Sequence, residues 1–340
     1  MFGRSSKPIR LQVAAKTDLG KTRDHNEDCF LVADLTRAEK LDGAQREQEI
    51  GERGALFMVA DGMGGAAAGE VASEMATKTV YDSLERALPA EKDLTAQKFA
   101  LRLKEAVEAA NGEIHAYAKA HPEVRGMGTT TTAAGVLGDR LYLTQVGDSR
   151  AYLVRDGQAV QLTKDQSLMQ RLVEAGELTE EEAAQSERRN IILQALGPDA
   201  KVKVDLTHQE LRRGDVLVIC SDGLSGQVKK EEIAEIAAKD QAPAQACERL
   251  IALANQRGGP DNITVIVARF EGDGLRISGP HEEVGHQVYP LIDTETSTEP
   301  VPVYKGSRAP VPAKRARWRL LTGLIVAAGA AAAAYILFAR

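Results

Sequence analysis

The sequence predicts an α+β protein in which two packed β-sheets carry layers of helix on their outer faces. Three observations lead there. Strand-like segments follow one another through the middle of the chain, and the helical segments come in adjacent pairs, whereas a doubly wound parallel sheet would alternate strand and helix throughout. The third is the character of the strands. Ala55–Ala60, Leu141–Val146 and Val216–Cys220 are apolar runs of the length and composition of buried strands.

Taken in order, Ile9–Ala15, Cys29–Ala33 and Ala55–Ala60 are predicted strands. Thr36–Arg53 between them is so charged that it reads as a solvated loop or a short surface helix. Two helices follow, over Ala68–Leu88 and Thr95–Ala120, with Met75, Val80, Leu84 and Leu88 near helical spacing in the first. Thr129–Val136, Arg140–Val146, Ala151–Val154 and Gln158–Leu162 are successive strands, the last two joined through the hairpin signal Arg155-Asp156-Gly157. Asp165–Gly176 and Thr179–Glu187 form a charged excursion of short helices, with Asp165 as a helix cap. Strands return at Lys201–Leu206, Val216–Cys220 and Ile263–Phe270, separated by helices over Glu231–Ala238 and Ala244–Gln256.

Composition narrows the function. The 340 residues carry a net charge of −6 with no basic stripe through the body of the chain, which argues against a nucleic-acid binder. Cys29, Cys220 and Cys247 are odd in number and lack C-x-x-C spacing, so they read as buried thiols in a reducing compartment. Met1–Arg10 has no apolar stretch of the kind a cleaved signal peptide needs.

The chemistry is written at the strand ends. Each of the three apolar runs stops at an aspartate beside glycine: Asp61-Gly62, Gly147-Asp148 and Asp222-Gly223. An acid at the end of a buried strand is costly unless something positive compensates it. Together with Asn26-Glu27-Asp28 and Gly259-Pro260-Asp261-Asn262, these residues suggest carboxylates converging on metal ions. The set Glu27, Asp28, Asp61, Asp148, Asp222 and Asp261 is all hard oxygen, suited to Mg²⁺ or Mn²⁺, and the Gly62 carbonyl is available as a further ligand. The histidines lie away from these motifs except His25, which argues against a zinc or iron site built on imidazole. Two metals bridged by one carboxylate suit in-line displacement at phosphorus, and Arg23, four residues before Glu27, is placed to grip a phosphate. A competing pattern, Gly62-Met63-Gly64-Gly65-Ala66-Ala67, satisfies the dinucleotide-binding G-x-G-x-x-A spacing. It is set aside because Asp61 precedes it directly and no strand ending in an acid follows at about twenty residues.

Read as a set, Gly20–Asp28, Asp61–Gly65 with Gly69-Glu70, Gly128-Thr129-Thr130, Gly147–Arg150, Ser221–Leu224 and Gly259–Asn262 resemble the ordered motifs of the metal-dependent type 2C Ser/Thr protein phosphatases, bacterial type. The resemblance covers residues 9–271. It implies a four-layer α-β-β-α sandwich with two central antiparallel sheets, and hydrolysis of phosphoserine and phosphothreonine in proteins by a metal-activated water. By resemblance Asp61 bridges two metals, the Gly62 carbonyl binds the first, and Asp222 and Asp261 bind the second. Glu27 and Asp28 hold metal directly or through water, Asp148 joins Asp222 at a weaker third ion, and Arg23 binds phosphate. Residues 165–190 match the variable flap beside the active site. One departure stands out: some members have a histidine, proposed as general acid, where this chain has Met63, and methionine cannot donate a proton. A metal-bound water is the expected substitute.

After residues 1–8, a tail, and 9–271, the catalytic domain, residues 272–317 read as a polar, proline-containing linker. Residues 318–340 read as a transmembrane tail anchor: Leu320–Ala339 is uncharged and long enough to cross a bilayer core. Lys314, Arg315, Arg317 and Arg319 precede it, with Trp318 as an interfacial anchor, which places the catalytic domain on the cytoplasmic side of the plasma membrane. The expected partners are phosphoproteins, Ser/Thr kinases among them. The alternatives are a phosphatase acting on a phosphorylated anti-sigma-factor antagonist and, from a different class, an inactive scaffold that binds phosphoproteins.

Overall fold

The computed structural model describes residues 7–239, 242–279 and 282–291. The strands are β1 (Arg10–Asp18), β2 (Asp28–Asp34), β3 (Glu39–Leu41), β4 (Arg46–Glu49), β5 (Ala55–Met63), β6 (Gly128–Thr129), β7 (Thr131–Leu137), β8 (Arg140–Val146), β9 (Arg150–Arg155), β10 (Gln158–Gln161), β11 (Asp205–Glu210), β12 (Val216–Cys220) and β13 (Ile263–Glu271). The α-helices are α1 (Ala66–Ala87), α2 (Ala96–Ala120), α3 (Leu168–Glu174), α4 (Glu180–Gln185), α5 (Asp222–Ser225), α6 (Lys230–Lys239) and α7 (Pro243–Gln256). One sheet runs β10-β9-β12-β13-β1-β4, the other β11-β8-β7-β5-β2-β3, and adjacent strands in both pair antiparallel.

Three apolar layers hold these four structural layers together. In β5, Phe57 and Val59 face the other sheet, while Leu56, Met58 and Ala60 face α1 and α2. In β12, Leu217 and Ile219 enter the inter-sheet layer, while Val216, Val218 and Cys220 pack under α6 and α7. Both faces of each central strand are covered, so the apolar runs need no polar alternation. Phe57 and Phe270 meet edge-on across the sheets with centroids 6.3 Å apart.

Three expectations need correction. Thr36–Arg53 is neither loop nor helix but contains edge strands β3 and β4, which lie on opposite sheets. Their exposed side chains are charged, as edge strands tolerate, so composition concealed them. The strand expected at Lys201–Leu206 lies at Asp205–Glu210, carried by pairing with β8 rather than by its own apolar content. The first part of the expected linker is laid against the domain: Thr207 and Val288 form an antiparallel bridge on the outer edge of β11. Among the described residues no helix is long and apolar enough to cross a membrane; the expected span, residues 318–340, lies outside them.

Candidate metal centre

The strand order brings every predicted acidic motif to one end of the sandwich. Asp28 opens β2 and Asp61 lies near the end of β5, and the antiparallel register sets them directly opposite each other. Val146 ends β8 and leads into Gly147-Asp148; Cys220 ends β12 and leads into Ser221-Asp222; Asp261 and Asn262 precede β13, the neighbour of β12. Like charges directly across a ladder oppose pairing, so this register needs a compensating charge or a proton.

Backbone bonds fix the position of Asp61. The Asp61 N–H donates to Thr130 Oγ1 at 3.1 Å, while the Asp61 carbonyl accepts from the Thr130 N–H and from Thr129 Oγ1, each at 2.9 Å. The Gly62 N–H donates to the Glu27 carbonyl at 3.1 Å. A Cβ on Gly62 would lie 2.2 Å from the Gly69 carbonyl oxygen, and one on Gly69 would lie 2.1 Å from Glu27 Oε2. The first turn of α1 thus closes on the end of β5 with the Glu27 carboxylate wedged beside it. Gly62, the first glycine of the pattern that mimicked a dinucleotide motif, serves this close approach.

The electrostatics are those of a site built for cations. Burial pushes the Asp28 carboxyl up to about 7, opposed by hydrogen bonds from Thr264 and Ser221 and reinforced by Asp222 and Asp261. Burial likewise lifts Asp148 to about 7, with the Asp222 and Asp165 charges adding and Arg150 opposing. Asp61 is held well above the ordinary carboxylate range by desolvation and then by Asp28, Asp222, Asp148 and Asp261. Asp222 is raised by burial and Asp261, with Asp61 close enough to share a hydrogen bond. Glu27 is raised chiefly by burial. A cluster of acids that cannot all ionise alone is a cluster that binds positive charge.

Two buried oxygens bear this out. Asp28 Oδ1 and Asp148 Oδ1 are enclosed without a hydrogen-bond partner, although Asp28 Oδ2 accepts from Ser221 Oγ at 2.8 Å. Orphaned, solvent-shielded carboxylate oxygens in an all-oxygen donor set fit a hard divalent cation. Among the described residues no three acidic, histidine or cysteine side chains are drawn tightly enough to encage an ion by themselves. Mg²⁺-type sites keep several waters and take only one or two carboxylates, so open spacing suits the donor set.

Arg23, the expected phosphate ligand, is half-exposed and donates from Nη2 to Asp261 Oδ2 at 2.7 Å. That bond, first among the causes, raises the already high pKa of the guanidinium. Asp165 does not cap α3. Ser167 does, accepting from the Gln170 N–H, while Asp165 grips Arg150 through Nε and Nη2 at 2.6–3.0 Å. Arg150 is therefore the ion-pair partner of Asp165.

Two positioning side chains were not singled out by the sequence. Asn262 Oδ1 accepts from the Glu27 N–H at 2.9 Å, and its amide nitrogen donates to the Leu19 and His25 carbonyls at 3.0 and 2.9 Å. It staples the loop bearing Arg23 and Glu27 to the start of β13. Ser221 donates to Asp28 and accepts from the Thr264 N–H at 3.0 Å. Their only sequence signal was adjacency to Asp261 and Asp222.

The acidic end of the sandwich fits a centre for hard divalent cations, and comparison with known proteins says which family it belongs to. Residues 44–258 match the family model described as protein phosphatase 2C. The chain is 36% identical over 252 residues to the serine/threonine phosphatase stp of Listeria innocua, covering 74% of this chain and 93% of that protein. It is 40% identical over 258 residues to the serine/threonine protein phosphatase PstP of Mycobacterium tuberculosis, covering 76% of this chain and 45% of that protein. It is also similar to the solved catalytic domain of PstP in complex with two manganese ions, with 39% identity, a TM-score of 0.63, and coverage of 77% of this chain and 99% of that one. The chain belongs to the protein phosphatase 2C family. It is accordingly an enzyme, a protein phosphatase.

Proposed function

We propose that this enzyme hydrolyses phosphoserine and phosphothreonine in proteins at a centre of two firmly held divalent cations, Mn²⁺ or Mg²⁺, with a weaker third. The convergence of Asp28, Asp61, Asp148, Asp222 and Asp261 at one sandwich end, with two carboxylate oxygens buried and unpartnered, carries this reading. The names of the relatives and the manganese-bound PstP structure support it.

Asp61, the Gly62 carbonyl, Glu27, Asp28, Asp222 and Asp261 would hold the firmly bound ions, and Asp148 with Asp222 would hold the third. When bound, such ions neutralise phosphoryl charge and acidify water for in-line attack. The chain's own work is orientation. Ser221 holds one oxygen of Asp28, leaving the other buried without a hydrogen-bond partner. The Thr129-Thr130 pair fixes Asp61, and Asn262 fixes Glu27. The guanidinium of Arg23 offers five N–H donors, of which the Asp261 bond occupies one, so phosphate can be gripped without breaking that pair. Met63 cannot protonate the leaving alkoxide, which leaves that proton to water.

The chain would act at the inner face of the plasma membrane, opposing Ser/Thr kinases, through the uncharged stretch Leu320–Ala339 and the basic residues before it. Purified full-length protein should hydrolyse a phosphothreonine peptide only with Mn²⁺ or Mg²⁺. Asp61→Asn and Asp222→Asn should each remove most of that activity while retaining the fold by circular dichroism. Full turnover in excess chelator would overturn the reading, and metal-replete protein without turnover would favour the scaffold.

A further inference from the structure

Asp148 sits on a turn that is held from both sides by two consecutive residues at the root of the flap. Asp165 grips Arg150, two residues after Asp148. Gln166 grips Gly147, the residue before it: the Gly147 N–H donates to Gln166 Oε1 at 3.0 Å, and the Gln166 N–H donates to the Gly147 carbonyl at 2.8 Å. The same residue closes the flap. Its carbonyl accepts from the Leu193 N–H at 2.7 Å, beside the Ser167–Ile192 bridge and the bond from the Leu168 N–H to the Ile191 carbonyl.

The Gln166 amide nitrogen reaches a third element, donating to Asp205 Oδ2 at 2.9 Å and to the Gln145 carbonyl at 3.4 Å. Asp205 opens β11, whose outer edge is covered by a strap of the chain. The His208 N–H donates to the Gln287 carbonyl at 2.9 Å, and the Tyr289 N–H donates to the Leu206 carbonyl at 3.0 Å. The Tyr289 ring stands edge-on to Tyr142 and to His208, with centroids 5.3 Å away in each case. Glu282 ties the beginning of this strap to Arg212 at 2.5 Å. One neutral amide therefore joins the Asp148 turn, the flap and the strapped edge strand. A glutamate there would keep the acceptor for Gly147 but set a carboxylate against Asp205; a leucine would lose both contacts.

We propose that Gln166 is a positioning residue for phosphoprotein turnover, tying the flap to the Asp148 turn and, through Asp205, to the strap laid along β11. The inference rests on the reading of Asp148 as part of the metal centre. The strap's seating on β11 thereby biases how the flap and Asp148 meet a peptide substrate. Small aryl phosphates, which do not reach the flap, are largely insensitive to it.

The test uses the full chain carrying Gln166→Leu, Gln166→Glu, Asp205→Leu or Tyr289→Ala. Three quantities are measured: KM and kcat on a phosphothreonine peptide and an aryl phosphate, the Mn²⁺ dependence of each, and hydrogen exchange of the metal-free protein in peptides spanning 141–150. A lost hydrogen bond that leaves a shielded partner is worth about a tenfold change, so Gln166→Leu should raise the peptide KM about tenfold and leave kcat on aryl phosphate within about threefold. Exchange at Gly147 should rise in Gln166→Leu but not in Gln166→Glu, while both share the peptide defect. Tyr289→Ala should raise the peptide KM in the natural background and have no further effect beside Gln166→Leu. An unchanged peptide KM and unchanged Gly147 exchange in Gln166→Leu would overturn the proposal, as would equal effects of Tyr289→Ala in both backgrounds. If Gln166→Leu loses aryl phosphate turnover as well, through misfolding, Gln166→Glu and Asp205→Leu decide by the same criteria. Natural protein without metal-dependent peptide turnover would instead refute the functional reading, and exchange at Gly147 would still decide the role of Gln166.

Discussion

Withdrawing the divalent cations should make the stability of this protein fall as pH rises, the reverse of what most carboxylates do. Asp28 and Asp148 are each lifted to about 7 by burial and neighbouring charge, against about 3.9 for an aspartate in an unfolded chain. Between those values the folded state binds more protons than the unfolded state, so stability declines with rising pH. The contribution of each group is fully present below about pH 4 and is gone once pH has passed through about 7. For one such group the loss between pH 5 and 8 amounts to roughly 2.5 kcal/mol. In a domain of this size that lowers Tm by roughly 5–10 °C, and the two groups together by less than twice that, because both interact with Asp222.

The assay is thermal unfolding of chelated protein across pH 5–8, repeated with saturating Mn²⁺. Metal binding to deprotonated ligands reverses the slope, so the Mn²⁺-induced rise in Tm should be largest at pH 8 and shrink toward pH 5. Asp28→Asn keeps an oxygen for Ser221 and removes the charge. Without metal at pH 8 it should be more stable than the natural protein, although it impairs the metal site. A Tm of chelated protein that is flat or rises from pH 5 to 8, or a Mn²⁺ effect independent of pH, would refute the account of these acids as a cation-compensated cluster.

Other outcomes follow from the same geometry. Arg23→Lys replaces a planar fork with a point charge, so KM for the phosphopeptide should rise by roughly tenfold or more while the Mn²⁺ dependence holds, as steady-state kinetics will show. Asp148→Ala should retain the firmly held metals by calorimetry yet lose about 10²–10³ in phosphopeptide rate, the usual cost of one electrostatic or proton-transfer element; loss of firm metal binding would move Asp148 into the core of the site. A chain cut after Pro312 should fractionate as soluble, keep its rate on small peptides and lose efficiency on membrane-bound phosphoproteins, because tethering acts on local concentration rather than on chemistry. Recovery of the uncut protein in the soluble fraction would overturn the anchor.

What was legible in the sequence, and what was not, divides along a physical line. The central strands could be read because burial on both faces favours apolar runs, and β5, β8 and β12 lie close to the expected Ala55–Ala60, Arg140–Val146 and Val216–Cys220. The acids could be read because ionisable groups at the ends of such strands are expensive without a counter-charge. The edge strands β3, β4 and β11 were missed or displaced because what makes them strands is a neighbour's backbone, which leaves side chains free to be charged. The strap on β11 escaped for the same reason: its Gly, Pro and Glu composition describes a linker, yet its backbone groups close an open edge. Asn262, Ser221 and Gln166 escaped for another. A hydrogen bond from a neutral side chain has no period and no charge signature, and its partners lie 19 to 243 residues away, as between Gln166 and Gly147 or Asn262 and Leu19. The residues that would hold the ions are thus announced by their cost, whereas those that aim them become visible only once the chain has folded. That is why the experiments on Gln166 and on Asp28 ask different questions: the first probes geometry at constant charge, and the second probes charge at nearly constant geometry.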